Sequence, residues 1–208
     1  MKSGGPEPTL PLPDPYEFLD LIGCGASGLV YRTRNRETGE QVALKLLHGL
    51  QPEDHEGFRR EIHALSSLRH PGVVRVLDSG VAEGRRWYAM DLVPGAALTE
   101  AWRSGSWTLD DSLRAILSLC ETLAYIHGEG LVHRDLKPSN VIVSDSRLAI
   151  LIDFGLASRF AGDTARDTLE VGGWIEGTVD YMAPEQVRAE YVDARADLYS
   201  LGCILYQA

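Results

Sequence analysis

The stretch His133-Arg134-Asp135-Leu136-Lys137-Pro138-Ser139-Asn140 sets two cations, a carboxylate and an amide between apolar segments. Upstream, Leu123 to Val132 reads as the end of a buried helix, and downstream Val141-Ile142-Val143 reads as a short buried strand. A polar knot between core elements must satisfy its charges or use them. A salt-bridged structural loop would explain any one of these charges. It does not explain a carboxylate, a lysine and an amide in this order with Asp153-Phe154-Gly155 following.

The rest of the chain narrows the classes. At 208 residues it suits one large domain or two small ones, and its net charge of −10 argues against sequence-independent nucleic-acid binding, which needs a basic face. Cys24, Cys120 and Cys203 are scattered and odd in number, with neither a disulfide framework nor a metal spacing. A reducing, cytoplasmic setting is the simplest account. Residues 1–15 hold five prolines and no apolar h-region, so they read as a flexible leader and not a signal peptide. No apolar run approaches the length of a membrane helix, roughly 20 residues.

From Tyr16 onward the pattern is strand-rich. Phe18–Ile22, Leu29–Thr33 and Gln41–Leu47 alternate with turns and predict an antiparallel meander. Between the first two strands lies Gly23-Cys24-Gly25-Ala26-Ser27-Gly28, a weak signal alone, which a plain tight turn explains at least as well. A dinucleotide site would open a helix here, whereas Leu29-Val30-Tyr31 reads as strand. Lys45 interrupts an apolar strand, where a charge is costly unless paired. Glu53 to Leu68 has helical spacing at Phe58, Ile62, Leu65 and Leu68, with Glu61 at the edge of the stripe. Val73–Leu77 and Arg86–Met90 read as two more strands, broken by Asp91-Leu92-Val93-Pro94-Gly95.

A helical part follows. Thr108 with Asp111 three positions on predicts an N-cap, Leu113, Ile116, Leu117, Cys120, Leu123, Ala124 and Ile126 follow at helical intervals, and Gly128 is a natural stop. Leu148 to Ile152 reads as a buried strand ending at Asp153. Phe160 to Gly177 has no periodicity and reads as a long functional loop. Ala194 to Ala208 predicts a buried helix with Leu198, Leu201, Ile204 and Leu205 on one stripe.

Taken in order, these motifs resemble the eukaryotic-type (Hanks-type) serine/threonine protein kinases from about Tyr16 to the end. The resemblance implies an α+β, bilobal fold. Residues 16–90 would form a small antiparallel-sheet N-lobe with one helix, 91–95 the hinge, and 96–208 a helical C-lobe that stops within the F helix. It implies transfer of the ATP γ-phosphate to protein Ser/Thr hydroxyls, with ATP and Mg²⁺ as the small molecules. Asp135 would be the base, and Lys137 would stabilise developing charge. Lys45, aligned by Glu61, would hold the α/β-phosphates under Gly23, Gly25 and Gly28. Ile22, Val30, Ala43 and Ile142 would wall the adenine, Met90 would be the gatekeeper, and Asp91 and Val93 would offer backbone hydrogen bonds. Asn140 and Asp153 would hold the metal.

Arg134 would sense a phosphate on Thr164 or Thr168, and Thr178 would belong to the surface that receives the substrate peptide. His133 would pack under Phe154, and Asp197 would hold the catalytic-loop backbone. Tyr31, Tyr181-Met182 and Gln186 are similar to bacterial members. The family pairs the A-P-E glutamate, here Glu185, with an arginine from a later segment that this sequence lacks. A buried, unpaired carboxylate would cost about 3–5 kcal/mol. An ATP-binding pseudokinase or scaffold, a small-molecule phosphotransferase and a fragment acting through its F helix are the competing readings.

Overall fold

The computed structural model describes residues 12–25, 27–48, 55–154 and 179–208, and for 55–57, 60 and 61 the backbone alone. Of the flexible leader expected over residues 1–15, residues 1–11 lie outside the described residues, as does the loop expected over 160–177. Residues 12–15 are instead held to the sheet, where the Pro13 carbonyl accepts from the Tyr16 N–H at 2.9 Å and the Pro15 carbonyl from the Arg36 N–H at 3.0 Å. The chain divides into two compact units, Met1–Ser67 with Arg75–Leu92, and Leu68–Val74 with Val93–Ala208.

The first unit is an antiparallel sheet of order β1-β2-β3-β5-β4. Its strands are β1 (Tyr16–Gly25), β2 (Gly28–Asn35), β3 (Gln41–Leu47), β4 (Val76–Ala82) and β5 (Arg85–Asp91). Alternation sends Tyr31, Val42, Leu44, Leu46, Trp87 and Ala89 into one cluster with Tyr16. Edge-to-face ring pairs, Tyr16–Trp87 at 5.5 Å and Phe18–Tyr31 at 5.7 Å, knit it together. Tyr16 also donates its hydroxyl to Asp78 across the sheet at 3.1 Å. The helix α1 (His55–Ser67) buries Phe58, Ile62 and Leu65 at helical spacing.

The second unit is built on α3 (Leu109–Gly128). Thr108 and Asp111 form the expected capping box: the Asp111 N–H donates to Thr108 Oγ1 at 3.1 Å, and the Thr108 N–H donates to Asp111 Oδ2 at 3.0 Å. Ala115, Ile116, Leu119, Leu123 and Ile126 make its buried stripe, whereas Leu113, Leu117, Cys120 and Ala124, expected on that stripe, are exposed: the inward face is rotated toward the smaller Ala115. The hairpin of β7 (Val141–Val143) and β8 (Ala149–Leu151) packs on it. β6 (Ala96–Ala97) adds a third strand beside β7 and runs into α2 (Leu98–Arg103). The approach to β7 requires Gly95: its φ is +141°, and a Cβ there would lie 2.3 Å from the Val143 carbonyl oxygen. Two further helices, α4 (Pro184–Val187) and α5 (Ala194–Gln207), complete the described part.

Three further expectations change. The strand expected over Val73–Leu77 begins only at Val76. Val73 instead bridges Leu151, and the Val74 N–H donates to the Leu151 carbonyl at 2.9 Å, so residues 68–74 belong with the second unit. His70 stacks on Tyr125 at 4.9 Å, and the Arg69 N–H donates to the Tyr125 hydroxyl oxygen at 2.9 Å. An apolar run identifies burial but not the sheet that supplies it. In α5 the buried face is Ala196, Asp197, Ser200 and Ile204, while Leu198 and Leu205 are half exposed. Asp197 turns inward to a loop, and the helical period then carries two of the expected leucines outward. Glu185 is only partly buried, so water relieves much of the penalty expected for an unpaired carboxylate.

Candidate active site

The opening stretch folds into a turn whose backbone has no ladder to hold it. Arg134 lies at φ +66° and Asp153 at φ +58°, conformations that cost a non-glycine residue about 1–3 kcal/mol unless the surroundings fix them. Asp197 does much of the fixing. It is fully buried near the start of α5, and its carboxylate accepts from the His133 and Arg134 N–H groups, each at 2.8 Å. His127 Nε2 lies 2.8 Å from the same carboxylate. Burial alone would raise its pKa; the His127 hydrogen bond, the nearby His133 and the two backbone donors outweigh that and hold it below the ordinary aspartate range. The buried His133 ring meets Phe154 at 4.8 Å and donates through Nε2 to the Ile152 carbonyl at 3.1 Å.

Asp135, Lys137 and Asn140 converge on one carboxylate. Lys137 Nζ donates to both Asp135 oxygens, at 3.1 and 2.8 Å. Asn140 Nδ2 donates to Asp135 Oδ2 at 2.9 Å and to its carbonyl at 2.8 Å. The Asn140 amide nitrogen is thereby committed to Asp135, and its oxygen remains as the ligand end. The register explains how Asp153 comes near. Val141 pairs with Leu151, and the Ile152 N–H donates to the Asn140 carbonyl at 3.0 Å. Asn140 and Asp153 therefore flank the same end of the β7–β8 hairpin. Two hard oxygen donors so placed fit Mg²⁺, which takes few protein ligands and keeps water and phosphate.

In the first unit, Ile22, Gly23 and Gly25 lie on β1, Gly28 and Val30 on β2, Ala43 and Lys45 on β3, and Met90 and Asp91 on β5. The register sets Lys45 between Val30 and Tyr88, and Ala43 opposite Met90. Lys45 is 1% exposed, and its ammonium donates to Ser27 Oγ at 2.6 Å. Gly28, at φ +153°, sits so near β3 that a Cβ would lie 2.3 Å from the Leu46 carbonyl oxygen. That close approach folds the glycine turn onto the strand that carries Lys45. Glu61 lies on α1, with its side chain outside the described part. Val93 and Ile142 lie in the second unit. Gly155, Thr164, Thr168 and Thr178 lie outside the described residues.

Two groups escaped sequence reasoning. Ser27 could have been marked as the one hydroxyl on the glycine turn, beside a buried lysine. Gln186 had no chemical signal, yet its amide donates to the Arg134 carbonyl at 2.7 Å.

A protein kinase domain model matches residues 16–208. The chain is 41% identical over 197 residues to the DNA damage-responsive serine/threonine-protein kinase RqkA of Deinococcus radiodurans, covering 92% of this chain and 29% of that protein. It is 34% identical over 204 residues to the serine/threonine-protein kinase PknB of Mycobacterium tuberculosis, covering 94% and 32%. A crystal structure of the Mycobacterium tuberculosis PknI kinase domain superposes with a TM-score of 0.70 at 29% identity, covering 90% of this chain and 70% of that one. The chain spans about a third of the length of the curated relatives it matches.

Proposed function

We propose that this chain, which belongs to the protein kinase family, transfers the γ-phosphate of ATP to Ser/Thr hydroxyls of a protein. The observation that carries the reading is the convergence of Lys137 and Asn140 on the Asp135 carboxylate. Asp135 orients the acceptor hydroxyl and takes its proton as the oxygen attacks the γ-phosphorus, and the bond to the bridging oxygen of ADP breaks. Lys137 neutralises charge gathering on the phosphoryl oxygens. Magnesium, held by Asn140 and Asp153, supplies charge neutralisation at the phosphates when bound.

Lys45, with Glu61 as its partner, takes the α/β-phosphates, and Gly23, Gly25 and Gly28 let backbone N–H groups approach them. Ile22, Val30, Ala43, Met90 and Ile142 are the apolar contacts offered to adenine. The Asp91 N–H already donates to the Arg75 carbonyl at 3.0 Å, so its own carbonyl is the group offered to a ligand, together with the Val93 backbone. Arg134 pairs with a phosphate on Thr164 or Thr168, and Thr178 helps receive the peptide. Of the spans expected, residues 16–67 and 75–90 serve as the ATP-covering lobe and 91–95 as the hinge, while 96–208 serve as the catalytic lobe together with 68–74.

Among the described residues no helix is long and apolar enough to cross a membrane. We place the reaction in the cytoplasm, where ATP and reduced cysteines coexist.

Transfer of label from γ-labelled Mg-ATP to a Ser/Thr-bearing protein tests this. Wild type labels it, and Asp135→Asn and Lys45→Met do not. Equal label in all three contradicts the proposal.

A further inference from the structure

The Asp197 carboxylate holds the N–H side of the catalytic turn, at His133 and Arg134. The carbonyl side is held from another element. Gln186 Nε2 donates to the Arg134 carbonyl at 2.7 Å, while Gln186 Oε1 accepts from the Ala183 N–H at 3.1 Å. Each partner can play only one role, since an N–H donates and a carbonyl accepts, so the orientation of the amide is fixed by its neighbours. Ala183 is fully buried, which makes it a firm anchor.

The Arg134 carbonyl belongs to the peptide unit whose nitrogen is that of Asp135. A peptide unit is planar and rigid, so fixing its oxygen fixes the direction in which the Asp135 Cα and side chain leave it. Arg134 itself sits at φ +66°, and its strain favours release if a restraint is lost.

We infer that Gln186 is a positioning residue for Asp135, tying the catalytic turn to segment 183–186 by a directed amide bridge. The inference rests on the kinase reading above for its catalytic consequence, though not for its geometry. A shift of Ala183–Gln186 moves the Asp135 peptide, so whatever docks beside that segment adjusts the base. Gln186→Glu is the sharpest probe. It keeps the length and the acceptor for Ala183, and it sets a carboxylate oxygen against the Arg134 carbonyl. Gln186→Met keeps the volume and removes both hydrogen bonds without adding charge.

The test combines single-turnover phosphotransfer, ATP affinity and amide exchange on the full chain. Both variants should lose about 10- to 100-fold in transfer rate, Glu more than Met, the scale of a misplaced catalytic group. ATP affinity should stay within about twofold, the mark of an interaction used in the transition state. Exchange should rise at residues 134–136 while α3 keeps its protection. Wild-type rate and wild-type exchange at 134–136 in both variants would overturn the inference. So would protection lost across α3 as well, which marks a general structural role. If wild type transfers no phosphate, the kinase reading fails alone, and exchange at 134–136 still decides the bridge.

Discussion

Lys45 in the first unit and Asp197 in the second are equally buried, yet they are held in opposite ways. Lys45 lies on a central strand, paired through Val30 on one side and Tyr88 on the other. The ladder fixes its backbone whether or not the side chain carries charge. Asp197 lies on a helix, and its charge is what fixes the backbone of something else, a turn with Arg134 at positive φ. In one region the fold positions the charge, and in the other the charge positions the fold. Loss of each should therefore separate stability from chemistry in a different manner.

The largest effect is expected from Asp197→Ala. It strips the acceptor from two N–H groups and from His127, and should cost about 3–5 kcal/mol in denaturant unfolding. Acidification should weaken the same clamp more gently. The Asp197 pKa is lowered in the folded state, so its stabilisation is complete above the ordinary aspartate value of about 3.9 and is lost as the pH falls through the lower folded value. Urea midpoints measured across that window should drop more for wild type than for Asp197→Asn.

Lys45→Met should change stability by no more than about 1.5 kcal/mol, because volume is kept and the ladder remains. It should still abolish use of ATP. A collapse like that of Asp197→Ala would erase the contrast between the two regions. Thr108→Ala, at the N-cap of α3, sets the lower end at about 1 kcal/mol and leaves catalysis unchanged.

How much of this could be read from sequence follows the same division. Where backbone ladders and helical period decide, the residues spoke clearly. The order of β1 to β3 and the capping box at Thr108 were legible because each follows a local rule. The helical period of α3 was legible too, but not its inward face: Ile116, Leu123 and Ile126 are buried as expected, while Leu113, Leu117 and Cys120 face outward and Ala115 and Leu119 take the core. Short pieces such as β6 and α2 were not, since two to six residues show no period. The inward face of α5 was hidden because two polar residues, Asp197 and Ser200, share it with Ala196 and Ile204, while Leu198 and Leu205 are half exposed. In the candidate site, Asp135, Lys137, Asn140 and Asp153 stood out in the sequence by their order. Their geometry was not: the Lys45–Ser27 contact and the Gln186 bridge join residues distant in sequence through single hydrogen bonds, which leave no periodic trace.

The most direct measurement compares wild type and Asp135→Asn in a single-turnover phosphotransfer assay, with ATP affinity determined on the same samples. Asp135→Asn should lose at least about 100-fold in rate with ATP affinity within about twofold, as expected of a base acting on the acceptor hydroxyl. An unchanged rate, or a rate and an affinity that fall together, would contradict it.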